Sequence, residues 1–73
     1  MDNILISVMK RKLYLSKVAK KVLGNDVELS MDVTITRKNE VFYSIYIWRD
    51  ANIAHFSISR SRNKSIAWIK GLK

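Results

Sequence analysis

The stretch VELSMDVTIT, Val27 to Thr36, alternates apolar and polar residues without a break. Val27, Leu29, Met31, Val33 and Ile35 fall on one side of an extended chain, and Glu28, Ser30, Asp32, Thr34 and Thr36 on the other. Successive side chains of a strand point to opposite faces, so this is the period of a strand with one face on a core. Toward the C-terminus, Val41 to Trp48 is dense in β-branched and aromatic residues and predicts a second strand. Ile53 to Ser59 predicts a third.

Loop length then decides which faces meet, because antiparallel neighbours share a face. A three-residue loop Arg37-Lys38-Asn39 with Asn39 left-handed puts Val41, Tyr43, Ile45 and Ile47 on the core side. A two-residue Lys38-Asn39 loop would force a lysine to positive φ, where it is disfavoured. A four-residue loop from Arg49 to Asn52 extends the pattern and predicts Ala54, Phe56 and Ile58 on that same side. Both loops end in asparagine, which tolerates the left-handed region.

Working outward to the N-terminus, residues 3–23 read as a helix closed by Gly24, with Asn25 and Asp26 making the turn. At about 100° per residue, Ile4, Val8, Leu15, Ala19 and Val22 gather on one side, with Leu5, Val18 and Leu23 flanking. Lys10, Lys17, Lys20 and Lys21 fall opposite, with Tyr14. Arg11 and Lys12 interrupt the apolar stripe, so a short strand over 4–9 followed by a helix from Leu13 is the alternative to one continuous helix, which is preferred. In the tail, Ser61 can cap a helix with Ile66, Ile69 and Leu72 on one face, although 66–69 also fits a fourth strand. With the helix preferred, the fold class is α+β: a three-stranded antiparallel meander with an N-terminal helix and a short C-terminal helix on one face, α-β-β-β-α.

Seventy-three residues make a single domain with a thin core. There is no cysteine, which removes disulfides, thiolate nucleophiles and zinc–thiolate sites together. A disulfide-free chain opening on its own Met1 fits a reducing cytoplasm. No apolar run approaches the ~18 residues of a membrane helix, and the run from Ile4 to Met9 precedes its basic residues, the reverse of a signal peptide.

Fourteen Lys and Arg stand against six Asp and Glu, a formal net charge of +8. Such an excess favours polyanionic partners, nucleic acid, DNA or RNA, foremost. The surplus sits at the two ends. Lys10, Arg11, Lys12, Lys17, Lys20 and Lys21 form one acid-free stretch, and Arg60, Arg62, Lys64, Lys70 and Lys73 another, around a slightly acidic middle. A row of ammonium groups on a rigid helix can neutralise phosphates and release their counterions. If Ser61 caps a helix, Arg60, Arg62 and Lys64 surround its positive end, an arrangement a phosphate would relieve. The expected nucleic-acid-binding residues are therefore Lys10, Arg11, Lys12, Lys17, Lys20, Lys21, Arg60, Arg62 and Lys64.

The order α-β-β-β-α, with the basic run SRSRNK (Ser59 to Lys64) opening the final helix, resembles the double-stranded-RNA-binding domain. The resemblance implies that Arg60, Arg62 and Lys64 grip phosphates, while the first helix and first hairpin loop touch minor grooves. It covers most of the chain in topology and little in motif. That family's first hairpin loop is longer and carries a Gly-Pro-His-type motif where this chain has Arg37-Lys38-Asn39, and its lysine-alanine pattern in the final helix is missing.

The other face of the sheet is expected to display Phe42, Tyr46 and Trp48 beside Thr34, Ile53, His55 and Ser57. Glu28 and Asp32 share it and repel phosphate, so a protein partner or a second copy fits this face better than stacked bases. Catalysis is not expected. His55 is the lone histidine, and the nearest carboxylate, Asp32, lies two strand spacings of roughly 4.8 Å away. No phosphate loop, paired carboxylates or metal-ligand cluster occurs, so no catalytic residue, metal, cofactor or small-molecule substrate is expected. The sequence thus points to a small basic nucleic-acid-binding accessory or regulatory protein. The alternative is a regulator or inhibitor docking through the aromatic face on a host protein of the nucleic-acid machinery, such as a polymerase or nuclease. The length, the lack of cysteine and the Lys/Ile/Asn/Ser-rich composition resemble small accessory proteins of bacteriophages.

Overall fold

The first helix, α1, runs unbroken over Asp2–Leu23 in the computed structural model, which describes residues 2–73, with side chains described from Leu5 onward. The apolar stripe therefore belongs to one element, and the alternative strand over 4–9 is not formed. Gly24 ends it at φ +109°, donating its N–H to the Lys20 carbonyl at 2.9 Å. A Cβ at this position would sit 2.9 Å from Asp26 Oδ1, so both the backbone angle and the space favour glycine. Arg11 lies on the inward side without breaking the helix because its guanidinium stacks 3.9 Å from the centroid of the Tyr43 ring. The long stem packs inward and the charge finds an aromatic face.

Strands β1 (Glu28–Ile35), β2 (Val41–Arg49) and β3 (Asn52–Ser59) form an antiparallel sheet in the order β1-β2-β3. The first hairpin has the expected register, with Leu29 opposite Ile47, Met31 opposite Ile45 and Ile35 opposite Val41. Thr36 and Glu40 close a loop of Arg37, Lys38 and Asn39, with Asn39 at φ +60°. The Thr36 hydroxyl accepts the N–H groups of Lys38 and Glu40 at 3.3 and 3.1 Å, which ties the turn to the strand end.

The second hairpin departs from expectation. Arg49 pairs with Asn52 around a two-residue turn, and Asp50 and Ala51, not Asn52, take positive φ (+53° and +64°). Trp48 then faces Ile53, but Ile47 faces His55, leaving Ala54 as the extra residue of a β-bulge. One extra residue moves every later side chain to the other face. Hence Phe56 and Ile58 point away from the helices, Ala54 is the exposed bulge residue, and His55, Ser57 and Ser59 point toward the helices.

Helix α2 (Arg62–Lys70) confirms the preferred reading of the tail. The inward turn of Ser59 has a visible use in starting it. Its hydroxyl accepts the Ser61 N–H at 3.1 Å and donates to the Ser61 carbonyl at 2.9 Å. The fully buried Ser65 donates to that same carbonyl at 3.0 Å, and Ser61 Oγ caps the helix by accepting the Lys64 N–H at 3.4 Å. An isoleucine at position 59 could make neither of the two bonds of the Ser59 hydroxyl.

Leu15 and Ala19 of α1, Val27 and Leu29 of β1, Ile45 and Ile47 of β2 and Ile69 of α2 are the buried apolar core. Both helices therefore lie on one face of the sheet. The core draws on the C-terminal half of α1, whereas Leu5, Ile6 and Met9 in the N-terminal half and Leu13 at the midpoint stay exposed. Among the described residues, no helix is long and apolar enough to cross a membrane.

Candidate functional site

The two helices leave a groove between them. At one end an open cleft of about 550 Å³ is lined by Ile6, Ser7, Lys10, Arg11 and Tyr14 of α1 and Arg62 of α2. At the other, a cleft of about 480 Å³ is lined by Tyr14, Val18, Lys21 and Val22 of α1 with Lys70 and Lys73 of the tail. Tyr14 lines both, so the clefts adjoin at its side chain. The start of α2 lies beside the middle of α1 and its end beside the end of α1, so the helices run in the same sense. The groove thus joins the two basic segments, and no carboxylate lines either cleft.

Helical spacing explains which α1 residues take part. Lys10, Tyr14, Lys17 and Lys21 are separated by four, three and four residues and form one stripe, of which Lys10, Tyr14 and Lys21 line the clefts beside α2. Lys12 and Lys20 line neither cleft, although Lys20, three residues from Lys17, lies beside it on the helix as expected.

The C-terminal cations also divide. Arg62 enters the groove, where its guanidinium sits 5.4 Å from the Tyr14 ring centroid. Arg60 pairs with Glu40 at 3.2 Å and lies 5.4 Å from the Phe42 ring centroid. Arg60 and Lys64 line a separate cleft of about 310 Å³ with Phe42, Ser57, Ile58 and Ser59. Of the nine expected residues, Lys10, Arg11, Lys21 and Arg62 line the groove, Lys17 lies on the same helical stripe without lining it, and Lys12, Lys20, Arg60 and Lys64 lie outside it. Lys70, Lys73 and Tyr14 join the groove without having been singled out for it.

The second surface is the sheet face away from the helices. Phe42, Tyr46 and Trp48 occupy it as expected, half-buried. The bulge adds Phe56 and Ile58, 49% and 58% exposed, to the 51% exposed Ile53. Tyr46 and Phe56 pack tilted, with ring centroids 5.0 Å apart. Trp48 Nε1 donates to Ser30 Oγ at 2.8 Å, which fixes the indole against β1. Along β1 the face becomes polar, through Glu28, Ser30, Asp32 and Thr34.

His55 and Ser57 do not belong to this face, contrary to expectation. His55 is half-buried on the helix side, so the sheet itself separates it from Asp32. Among the described residues, no group of three or more His, Cys, Asp or Glu could hold a metal ion.

The arrangement defines an α+β domain with a cationic interhelical groove on one side of its sheet and an apolar face on the other. No protein-family model matches the chain, and no curated protein or solved structure is significantly similar to it.

Proposed function

We propose that the chain is a nucleic-acid-binding accessory or regulatory protein of the cytoplasm, contacting phosphates through the groove between α1 and α2. One observation carries this reading. Two basic segments far apart in sequence line a single groove with Lys10, Arg11, Lys21, Arg62, Lys70 and Lys73, and no acid accompanies them.

The dimensions agree with it. Lys10 and Lys21 lie about 16 Å apart along α1 at 1.5 Å per residue. A duplex strand presents a phosphate about every 3.4 Å of axis, so several phosphates of one strand fit that length. The lining holds no amide side chain of the kind that reads adenine edges.

Counterion release provides the test. Each neutralised phosphate contributes about −0.9 to the slope of log K against log[salt] on duplex DNA. The six groove cations therefore limit the groove's contribution to about −5. Fluorescence anisotropy with a labelled oligonucleotide between low and physiological salt should give a slope of several units. A slope near zero, or no binding at low salt, would overturn the proposal.

A second reading is favoured by the sheet face. With Ile53, Phe56 and Ile58 beside Phe42, Tyr46 and Trp48, the apolar surface is broader than the sequence implied. Aromatic clusters with a polar margin are what protein interfaces favour. On this reading the chain is a phage-type regulator docked on a host protein that itself handles nucleic acid. The two surfaces lie on opposite sides of the sheet, so groove and face could be engaged together.

A further inference from the structure

Arg11 and Arg62 are held differently from the other basic side chains. Arg49 is paired with Asp26 and also donates to the Leu23 carbonyl at 3.1 Å, and Arg60 is paired with Glu40. Among the described residues, neither Arg11 nor Arg62 has a carboxylate within ion-pair distance. Each rests instead on a ring, Arg11 on Tyr43 and Arg62 on Tyr14. The guanidinium carbons lie 3.9 and 5.4 Å from the ring centroids, within cation–π range, and a guanidinium presents the fork of donors that matches a phosphate.

Two further facts point to an anion. Arg11 Nη1 is buried and has no hydrogen-bond partner, a costly condition for a donor on a charged group. Arg62 opens a helix whose first turn carries no acid, so a cation sits at the positive end of the helix dipole. Both arginines line the same cleft, with Lys10 beside them. A phosphate in the cleft would accept from the accessible edges of the two guanidiniums, offset three positive charges and complement the start of α2.

We infer that this cleft is a discrete phosphate site in which Arg11 and Arg62 clamp one phosphate group and Lys10 adds charge. The inference rests on the proposed function and refines it, from attraction along a groove to a fixed anchor point at one end. At about 550 Å³ the cleft has room for a phosphate with its attached sugar.

Arginine-to-lysine substitution separates the two levels, because net charge stays at +8. A clamp depends on the planar fork, so Arg62→Lys, at an exposed position, should weaken oligonucleotide binding about tenfold at fixed salt. Arg11→Lys should do the same, with circular dichroism confirming that the helix persists. Titration of the unmodified protein with inorganic phosphate, followed through the arginine Nε–H resonances, should shift Arg11 and Arg62 and leave Arg49 in place. Wild-type affinity in both variants, with no arginine shift, overturns the clamp while a steep salt slope leaves the groove reading standing. If the unmodified protein binds no oligonucleotide at all, the groove reading fails. The phosphate titration then decides the cleft alone: selective shifts support it, and their absence ends it.

Discussion

Replacing Lys17 and Lys21 together with glutamate should weaken nucleic-acid binding on the order of a hundredfold at physiological salt and abolish retention on a nucleic-acid column. Each reversal removes an attraction and installs a repulsion of similar size. The net charge falls from +8 to about +4, and the salt slope should shrink by about two. Both side chains are exposed on one stripe of α1, Lys21 lining the groove and Lys17 one turn before it, so the core is untouched. Lys21 lies in the last turn of α1, where a glutamate opposes the helix dipole, a penalty of about 0.3–1 kcal/mol that leaves the fold in place. The control is built into the helix. Lys12→Glu with Lys20→Glu makes the same change of net charge outside the groove. It should reduce affinity far less, and equal losses from the two pairs would mean that net charge, not the groove, governs binding.

The largest stability effect is expected from Ile47→Ala. Ile47 is fully buried at the centre of the sheet, opposite Leu29 on one side and His55 on the other. Truncation of a buried isoleucine costs about 2–5 kcal/mol through lost transfer energy and the cavity left behind. A core in a chain this short rarely supplies more than ~3–5 kcal/mol in total. Thermal unfolding by circular dichroism should therefore show a Tm lowered by at least about 10 °C, or no cooperative transition. Ile58→Ala is the companion measurement. Ile58 is 58% exposed because of the bulge at Ala54, so its truncation should change stability by about 0.5 kcal/mol or less. A cost matching that of Ile47 would place Ile58 in the core and contradict the bulged register.

The register of β3 was the part of the fold that its sequence concealed. Val27 to Thr36 carries its period on its face, and Asn39 marks a left-handed turn position, so β1 and β2 could be aligned from residue types alone. At the second hairpin the left-handed positions fall on Asp50 and Ala51, and Ala51 is a poor marker because its Cβ disfavours that region by roughly 1–2 kcal/mol. The extra residue, Ala54, fits either face of a strand and gives no sign of a bulge. Hydrophobicity alone favours Phe56 and Ile58 inward. What wins instead is the hydrogen bonding of Ser59 with Ser61 at the corner that launches α2, a requirement invisible until β3 and α2 are joined in space.

The candidate site was legible in its ingredients and not in its grouping. Both basic segments are plain in the chain. Which lysines meet depends on where α2 lies across α1, and that brings Lys70 and Lys73 to Lys21 while leaving Lys12 and Lys20 outside the groove. Arg60 sits one residue from the cap of α2 yet is turned to Glu40 and Phe42. The SRSRNK segment therefore does not form one cationic clamp, because Arg62 faces the groove while Arg60 and Lys64 line another cleft. Arg11, which looked like a defect in an apolar stripe, is accommodated by Tyr43, thirty-two residues away in sequence.

Backbone amide chemical-shift mapping on the full chain, titrated with a short oligonucleotide, tests the central claim most directly. The account predicts perturbations along Lys10, Arg11, Tyr14, Lys17, Lys21, Arg62 and Lys70, with Tyr46, Trp48 and Phe56 unmoved. Perturbations confined to the sheet face, or spread without preference around the surface, would contradict it.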